Sequence, residues 1–453
     1  MNTPFSPLTI TLTPRRPALV AGFENQIDVL VRIQAPAAPE GFDKKRPPYG
    51  IGLVIDRSGS MSGQPLEEAK RCAAHVVQAL SPEDTVALVA FDNRVKTLAP
   101  AQPRADGRAL ALAIESLSSG GNTDLHGGWL AGAEQLAQAA VEAGLKRVIL
   151  LSDGCANEGI TTTPEIADAC RTMAARGITT STYGLGHHFN EELMVAMAEA
   201  GQGNHYYGET AEDLMEPFQT EFDLLANLCC KGLKLRAEAG NGIAVEMLNQ
   251  VAGDAHGGWQ LSDLAWGSEA WALLRLRVPM ERLPAEGGEM LNQLNLLDLL
   301  QVTLAVTDLE GCGHVFHSPM LSLPAVNSAA YSALAEDLLV LRRMAEVDAG
   351  KLLRDTRDAA KRGDWAEVDR ILKQAETDFA GNEYVAGVLA SIRGVAESRQ
   401  RERFMKDALY ASAGFNKRLA MADECLDFAA EMEAPSFLRR KRAPGKEEFG
   451  KKQ

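Results

Sequence analysis

The chain has no apolar run approaching the roughly 20 residues a membrane-spanning helix needs, so no membrane segment is expected. Its opening residues, MNTPFSPLTITLTP, lack the basic stretch followed by an apolar one that marks a secretory leader, and the expected compartment is the cytoplasm. The seven cysteines (Cys72, Cys155, Cys170, Cys229, Cys230, Cys312 and Cys425) are odd in number and have no paired spacing. That excludes a disulfide framework and fits reduced thiols, with Cys229 and Cys230 read as packing residues. Lys and Arg number 46 against 61 Asp and Glu, a formal net charge of −15. A general phosphate-backbone binder needs the opposite surplus, so nucleic acid is not an expected partner. Histidine is scarce at eight residues, and His314 and His317 of CGHVFH have too few neighbouring ligands for a soft-metal site. No G-x-x-x-x-G-K-S/T phosphate loop occurs, and GSMSG puts Met61 where a G-x-S-x-G nucleophile elbow needs serine.

What is present is the composition of a globular protein, 46% hydrophobic and 24% charged, with 40 Gly and 20 Pro spread rather than clustered. The length of 453 residues implies about two to four domains. From Ile51 to Glu221 apolar strands alternate with amphipathic helices: IGLVI, TVALVAF, KRVILLSDG and ITTSTYGLG are the clear strands, and VKTLAP is expected as an antiparallel edge. That alternation predicts a doubly wound, mostly parallel α/β sheet covered on both faces. Segments on either side, including QIDVLVRIQA before it and WALLRLRV and LLQVTLAVTDLEG after it, alternate like half-buried strands. The α/β domain is therefore expected to be inserted in, or flanked by, a β-sandwich. From Ser328 to about Glu431 the pattern is helical, with YSALAEDLLVLRRMAEV and AEVDRILKQAE amphipathic and RGDW as a break between helices. The expected divisions are 1–48 (N-terminal sandwich strands), 49–228 (α/β domain), 229–325 (sandwich), 326–434 (helical region) and 435–453 (basic, flexible tail).

Ligands in an open parallel sheet bind beyond the carboxyl ends of the strands. Three loops at such ends are dense in oxygen: Asp56-Arg57-Ser58-Gly59-Ser60, then SSGGNTDLHGG with Thr123 and Asp124, then LLSDG with Asp153. Carboxylates and hydroxyls without a matching set of His or Cys are what a hard divalent cation accepts, which makes Mg²⁺ the expected cofactor, with Mn²⁺ or Ca²⁺ able to substitute. Asp124 is read as the cap of the following helix, Asp92 as a turn residue, and Ser62 as leading into the helix at Pro65.

The order D-x-S-x-S, a threonine in a Gly-rich loop, and an aspartate ending a later strand as SDG resembles the metal-ion-dependent adhesion site of the von Willebrand factor type A (VWA) domain. The resemblance covers about 50–228, roughly two-fifths of the chain. It implies that Ser58, Ser60 and Thr123 offer hydroxyl oxygens to a metal, while Asp56 and Asp153 bind it directly or through water. The wider order of segments is similar to bacterial cytosolic proteins carrying this domain and to inter-alpha-trypsin-inhibitor heavy chains. The family implies a scaffold or adaptor that grips an Asp or Glu of a partner protein, such as an ATPase, kinase or stress-response protein, and does not catalyse. Two alternatives stay open from the residues: a metal-dependent phosphohydrolase using Asp56 as nucleophile, and self-association in which one copy's Glu reaches the metal of another.

Overall fold

The computed structural model describes residues 7–39, 48–105, 107–139, 145–185, 190–208, 211–251, 253, 257–283, 296–417 and 420–421. The chain divides into two compact units, one of Met1–Ala38, Leu228–Asp308 and Cys312–Arg442, the other of Pro39–Asn227, Leu309–Gly311 and Ala443–Gln453. In chain order the first strands are β1 (Thr9–Pro14), β2 (Leu19–Val20) and β3 (Asn25–Gln34). The inserted unit then runs β4 (Gly50–Asp56), α1 (Gln64–Ala79), β5 (Thr85–Phe91), β6 (Val95–Pro103), α2 (Arg108–Glu115), α3 (Leu125–Gln138) and β7 (Lys146–Ser152). It ends with α4 (Thr163–Ala175), β8 (Ile178–Leu185), α5 (Glu191–Ala200), β9 (Gln202–Gly208) and α6 (Ala211–Ala226).

The six-stranded sheet of this unit has the order β6-β5-β4-β7-β8-β9, every pairing parallel except the antiparallel edge β6. β4 is central, and Ile51, Leu53, Val54 and Ile55 are 0% exposed because helices cover both faces. Full burial of each such side chain stabilises by about 1.5–3 kcal/mol, which anchors the loop that follows. On one face α3 approaches unusually closely. A Cβ at Gly128 would lie 2.3 Å from Phe91 Cγ, and one at Gly132 would lie 2.4 Å from Val54 Cγ2, so only glycine admits this contact. Helix α4, led by Pro164 and Glu165, has no counterpart among the expected elements.

Glu221 of α6 is 0% exposed and accepts from the guanidinium of Arg147 on β7, from Ser181 Oγ on β8 (2.7 Å), and from Asn204 Nδ2 (2.5 Å) and Tyr206 OH (3.0 Å) on β9. Burial would raise the Glu221 carboxyl, but the Arg147 charge and the donated hydrogen bonds outweigh it and hold the group below the usual carboxylate range. Phe218 of the same helix stacks on Tyr183 with ring centroids 4.0 Å apart. These contacts tie α6 to three strands.

The other unit continues with β10 (Leu228–Ala239), β11 (Ala244–Met247), β12 (Trp259–Gln260), β13 (Leu264–Ala265), β14 (Ser268–Val278), β15 (Leu296–Asp308), β16 (Gly313–His317) and β17 (Leu321–Val326). The helices α7 (Ser328–Ala333), α8 (Leu338–Lys361), α9 (Trp365–Asp378), α10 (Glu383–Glu397) and α11 (Arg401–Lys417) follow, and then β18 (Ala420–Met421). β3, which precedes the insertion, pairs antiparallel with β14, which follows it, in register from Gln34↔Glu269 to Asn25↔Val278. The flanking segments therefore share one sheet, β1-β3-β14-β11 with β18 also on β14, as the insertion expectation requires. A second sheet runs β12-β10-β15-β17-β2, with β13 on β10 and β16 on β15. Leu300, Val302, Leu304 and Val306 of β15 alternate into the core. One face of the first sheet is covered by α8, where Val340 and Val347 pack on Leu30, Trp271 and Leu273.

Two expectations for the helical region change. The stretch read as one helix across YSALAEDLLVLRRMAEV is two, because Asp337 caps α8 by accepting from Leu339 N (2.9 Å) and Val340 N (3.0 Å). Nor is the region helical throughout to about Glu431. Ala420–Met421 is a strand that pairs with Glu269 and Ser268, on backbone of β14 that β11 leaves open. The RGDW break is present, with Gly363 at φ +77° and Asp364 capping α9. Cys229 and Cys230 are buried packing residues of β10. Among the described residues no helix is long and apolar enough to cross a membrane. The basic tail, Cys425 and the pair His187 and His188 lie outside the described residues.

Candidate metal centre

β4 ends at Asp56, whose side chain is 0% exposed and bonded through both oxygens. Oδ1 accepts from the Ser58 backbone N–H at 2.8 Å, and Oδ2 accepts from Ser152 Oγ at 2.5 Å. Ser58 is buried and its Oγ lies 3.1 Å from Ser60 Oγ, which sits exposed in the short 3-10 turn Gly59–Met61. β7 ends at Ser152, next to Asp153, which is 4% exposed. The Asp153 carbonyl accepts from Asn190 N at the start of α5, and its Oδ1 accepts from Cys155 N. Thr123, 1% exposed, is gripped by the loop after β7: its N–H donates to Asn157 Oδ1 at 2.8 Å and its carbonyl accepts from Asn157 N and Glu158 N.

The loops are laced to one another by backbone bonds. Gly59 N donates to Gly121 O (3.0 Å), Gly120 N to Arg57 O (2.9 Å) and Arg57 N to Phe91 O (2.8 Å). Gly121 is at φ +78°, a conformation that favours glycine, with Asp92 and Asn93 where a side chain would go. Arg57 does not reach the centre. Its guanidinium pairs with Asp92 Oδ2 at 2.6 Å and donates to Ser118 O at 3.1 Å. Asp124 caps α3 through Gly127 N at 2.9 Å, the role read from the sequence, and Asp92 holds its turn by accepting from Arg94 N at 2.7 Å. The close seat of α3 on β4 and β5 thus fixes where Thr123 stands.

Asp56, Ser58, Ser60 and Asp153 therefore cluster beyond the carboxyl ends of β4 and β7, and Thr123 is held at the same end by its neighbours' bonds. Two groups that sequence reasoning missed support them. Ser152 joins Asp56 to the Gly154 N–H, donating to one and accepting from the other at 2.8 Å. It stood in plain view as the serine of SDG. Asn157, 34 positions from the Thr123 it holds, had no local signal.

The electrostatics are those of an anionic pocket. Burial pushes Asp56 up to about 6; the Ser152 hydrogen bond opposes that rise, and the Asp153 charge adds to it. The Cys155 thiol is pushed up to about 11, first by burial and then by Asp153 and Asp56. The donor set is oxygen only, two carboxylates and three hydroxyls, which suits a small hard cation; among the described residues no three His, Cys, Asp or Glu side chains group together as a metal cluster. An octahedron with metal–oxygen bonds of about 2.1 Å has neighbouring oxygens about 3 Å apart. The Ser58 and Ser60 hydroxyls, hydrogen-bonded to each other, stand 3.1 Å apart, a spacing compatible with that.

The family model for the von Willebrand factor type A domain matches residues 51–221, from β4 into α6 of this α/β unit. This segment is a von Willebrand factor type A domain. Among curated relatives, an uncharacterized protein of Synechocystis is 31% identical over 202 residues, covering 44% of this chain and 46% of that one. YfbK of Escherichia coli, also uncharacterized, is 27% identical over 203 residues, 44% of this chain and 35% of its own length. The human inter-alpha-trypsin inhibitor heavy chain H3 is 27% identical over 209 residues, 44% of this chain and 23% of its own. The chain thus matches less than half the length of each of these relatives. Among solved structures, a von Willebrand factor type A protein from Catenulispora acidiphila has a TM-score of 0.65 at 16% identity, covering 86% of this chain and 91% of that one. The ArnB paralog VWA2 from Sulfolobus acidocaldarius has a TM-score of 0.57 at 16% identity, covering 90% and 99%. Those likenesses extend beyond the VWA domain and concern the fold.

Proposed function

We propose that the VWA domain binds a divalent cation, Mg²⁺ foremost, through Asp56, Ser58, Ser60, Thr123 and Asp153, and uses it to hold an Asp or Glu side chain of a partner protein. The observation that carries the proposal is the oxygen cluster itself: two buried carboxylates and a pair of hydroxyls 3.1 Å apart at the ends of β4 and β7. Ser58, Ser60 and Thr123 would present hydroxyl oxygens, while Asp56 and Asp153 would balance the charge. Once bound, the cation supplies a site where an incoming carboxylate displaces water and is held electrostatically. Asp153 is oriented by Cys155 N, and Ser152 orients Asp56. Binding rather than catalysis is supported by Asp56, which is 0% exposed with both oxygens engaged and so is poorly placed as a nucleophile.

The test is affinity capture from the source cells by the full chain in Mg²⁺, with EDTA elution and a Thr123→Ala bait beside the wild type. Proteins released by EDTA from the wild-type bait and absent from the variant support the proposal. The same set of proteins on both baits, indifferent to the chelator, contradicts it.

A further inference from the structure

In the loops around Thr123 the exposed charged side chain is basic, although their formal charge, like that of the chain, is negative. Among the described residues of 57–63, 92–94, 116–124 and 153–162, the acids Asp92, Asp124, Asp153 and Glu158 are buried or half-buried, and Arg57 is half-buried against Asp92. The exposed charge is Arg94, with exposed Lys96 two residues on at the start of β6. The Arg94–Lys96 edge is therefore cationic beside an acidic pocket, while exposed Glu192, in the first turn of α5 after the Asn190 that bonds the Asp153 carbonyl, leaves the α5 edge acidic. The turn carrying Arg94 abuts Gly121, where an added Cβ would lie 2.5 Å from Asn93 Oδ1. On the other side of Thr123 the loop through Asn157 leads to Gly159, packed on Asp124, and to Ile160, which is 39% exposed.

We infer that the partner segment is acidic beyond its anchoring residue: one carboxylate goes to the metal, and at least one more faces Arg94 and Lys96, with an aliphatic side chain toward Ile160. This rests on the proposed metal-bridged function and specifies which carboxylate-bearing segments the VWA domain selects. Rim charges of this kind act mainly on association rate and on discrimination between partners, and they are screened by salt.

A random peptide display library panned on the full chain in Mg²⁺ and eluted with EDTA tests it. The expected eluate is enriched in peptides with two or more Asp or Glu. A synthetic two-acid peptide from that set should bind about three- to tenfold tighter than its counterpart with one acid changed to amide. In the Arg94→Gln/Lys96→Gln variant that ratio should fall to near one, and the salt dependence of the association rate should flatten, while EDTA sensitivity and Mg²⁺ binding persist. A wild-type ratio near one, or a ratio unchanged in the variant, overturns the inference and leaves the metal-bridged function standing. A library that yields no EDTA-eluted binder overturns both.

Discussion

Replacing Glu221 by Gln removes a buried carboxylate that pairs with Arg147, and the structure sets the size of the effect. Arg147 has 2% of its side chain exposed and Glu221 has none, so neither charge is relieved by water. The carboxylate accepts from Arg147, Ser181, Asn204 and Tyr206, and an amide in its place would turn its NH₂ toward some of these donors. Breaking one partner of such a pair costs about 3–5 kcal/mol, mostly from the charge left behind. For a domain of this size each kcal/mol lowers the melting temperature by about 2–4 °C, so the VWA transition of the full chain should fall by roughly 6–20 °C. Adding Arg147→Met should recover part of the loss, because the uncompensated charge is gone. The effect also depends on pH. The carboxyl is held below its ordinary 4.5, so its stabilisation is present above that value and lost as pH falls through the depressed folded value. Scanning calorimetry at neutral pH and below pH 4 measures both. A Glu221→Gln protein within about 1 kcal/mol of the wild type at neutral pH, or a double variant no better than the single, would refute the reasoning.

Other perturbations reach the site or the helical region. Gly132→Val puts its side chain into Val54 and should destabilise the domain by about 1–3 kcal/mol, with weakened Mg²⁺ binding because α3 carries Thr123 at its head; calorimetric titration checks both. Asn157→Ala should leave the far-UV circular dichroism unchanged and lower Mg²⁺ affinity by about 10- to 100-fold, the effect of losing a group that orients a ligand. Asp337→Ala should cost about 0.5–2 kcal/mol in the unfolding of the other unit by urea, and leave Mg²⁺ affinity untouched.

Much of the VWA domain was legible because its strands are buried on both faces and so read as continuous apolar runs, as in IGLVI and KRVILL. The clustering of the oxygens proposed to hold a metal was legible for a related reason: strand ends fix loop positions, and D-x-S-x-S is local. What escaped was set by contacts distant in sequence or by weak patterns. Asn157 matters only because Thr123 lies against it. Helix α4 has a modest apolar face in a stretch rich in Ala and Thr. β2, β12, β13 and β18 are two residues each, too short for any periodicity, and exist because a neighbouring strand offers open backbone. The break before α8 was written in Asp337, a capping residue set within an otherwise continuous helical pattern. The insertion of the VWA domain was visible as alternating strands on both flanks. Their pairing, β3 on β14, needed the structure.

The central claim is that the oxygens at the ends of β4 and β7, with Thr123, bind a hard divalent cation. Calorimetric titration of Mg²⁺ into the chelator-treated 453-residue chain, beside Ser60→Ala and Thr123→Ala, tests it most directly. The account predicts a single site in the wild type and a loss of at least about tenfold in affinity in each variant, with unchanged circular dichroism. No binding in the wild type, or equal affinity in all three proteins, would contradict it.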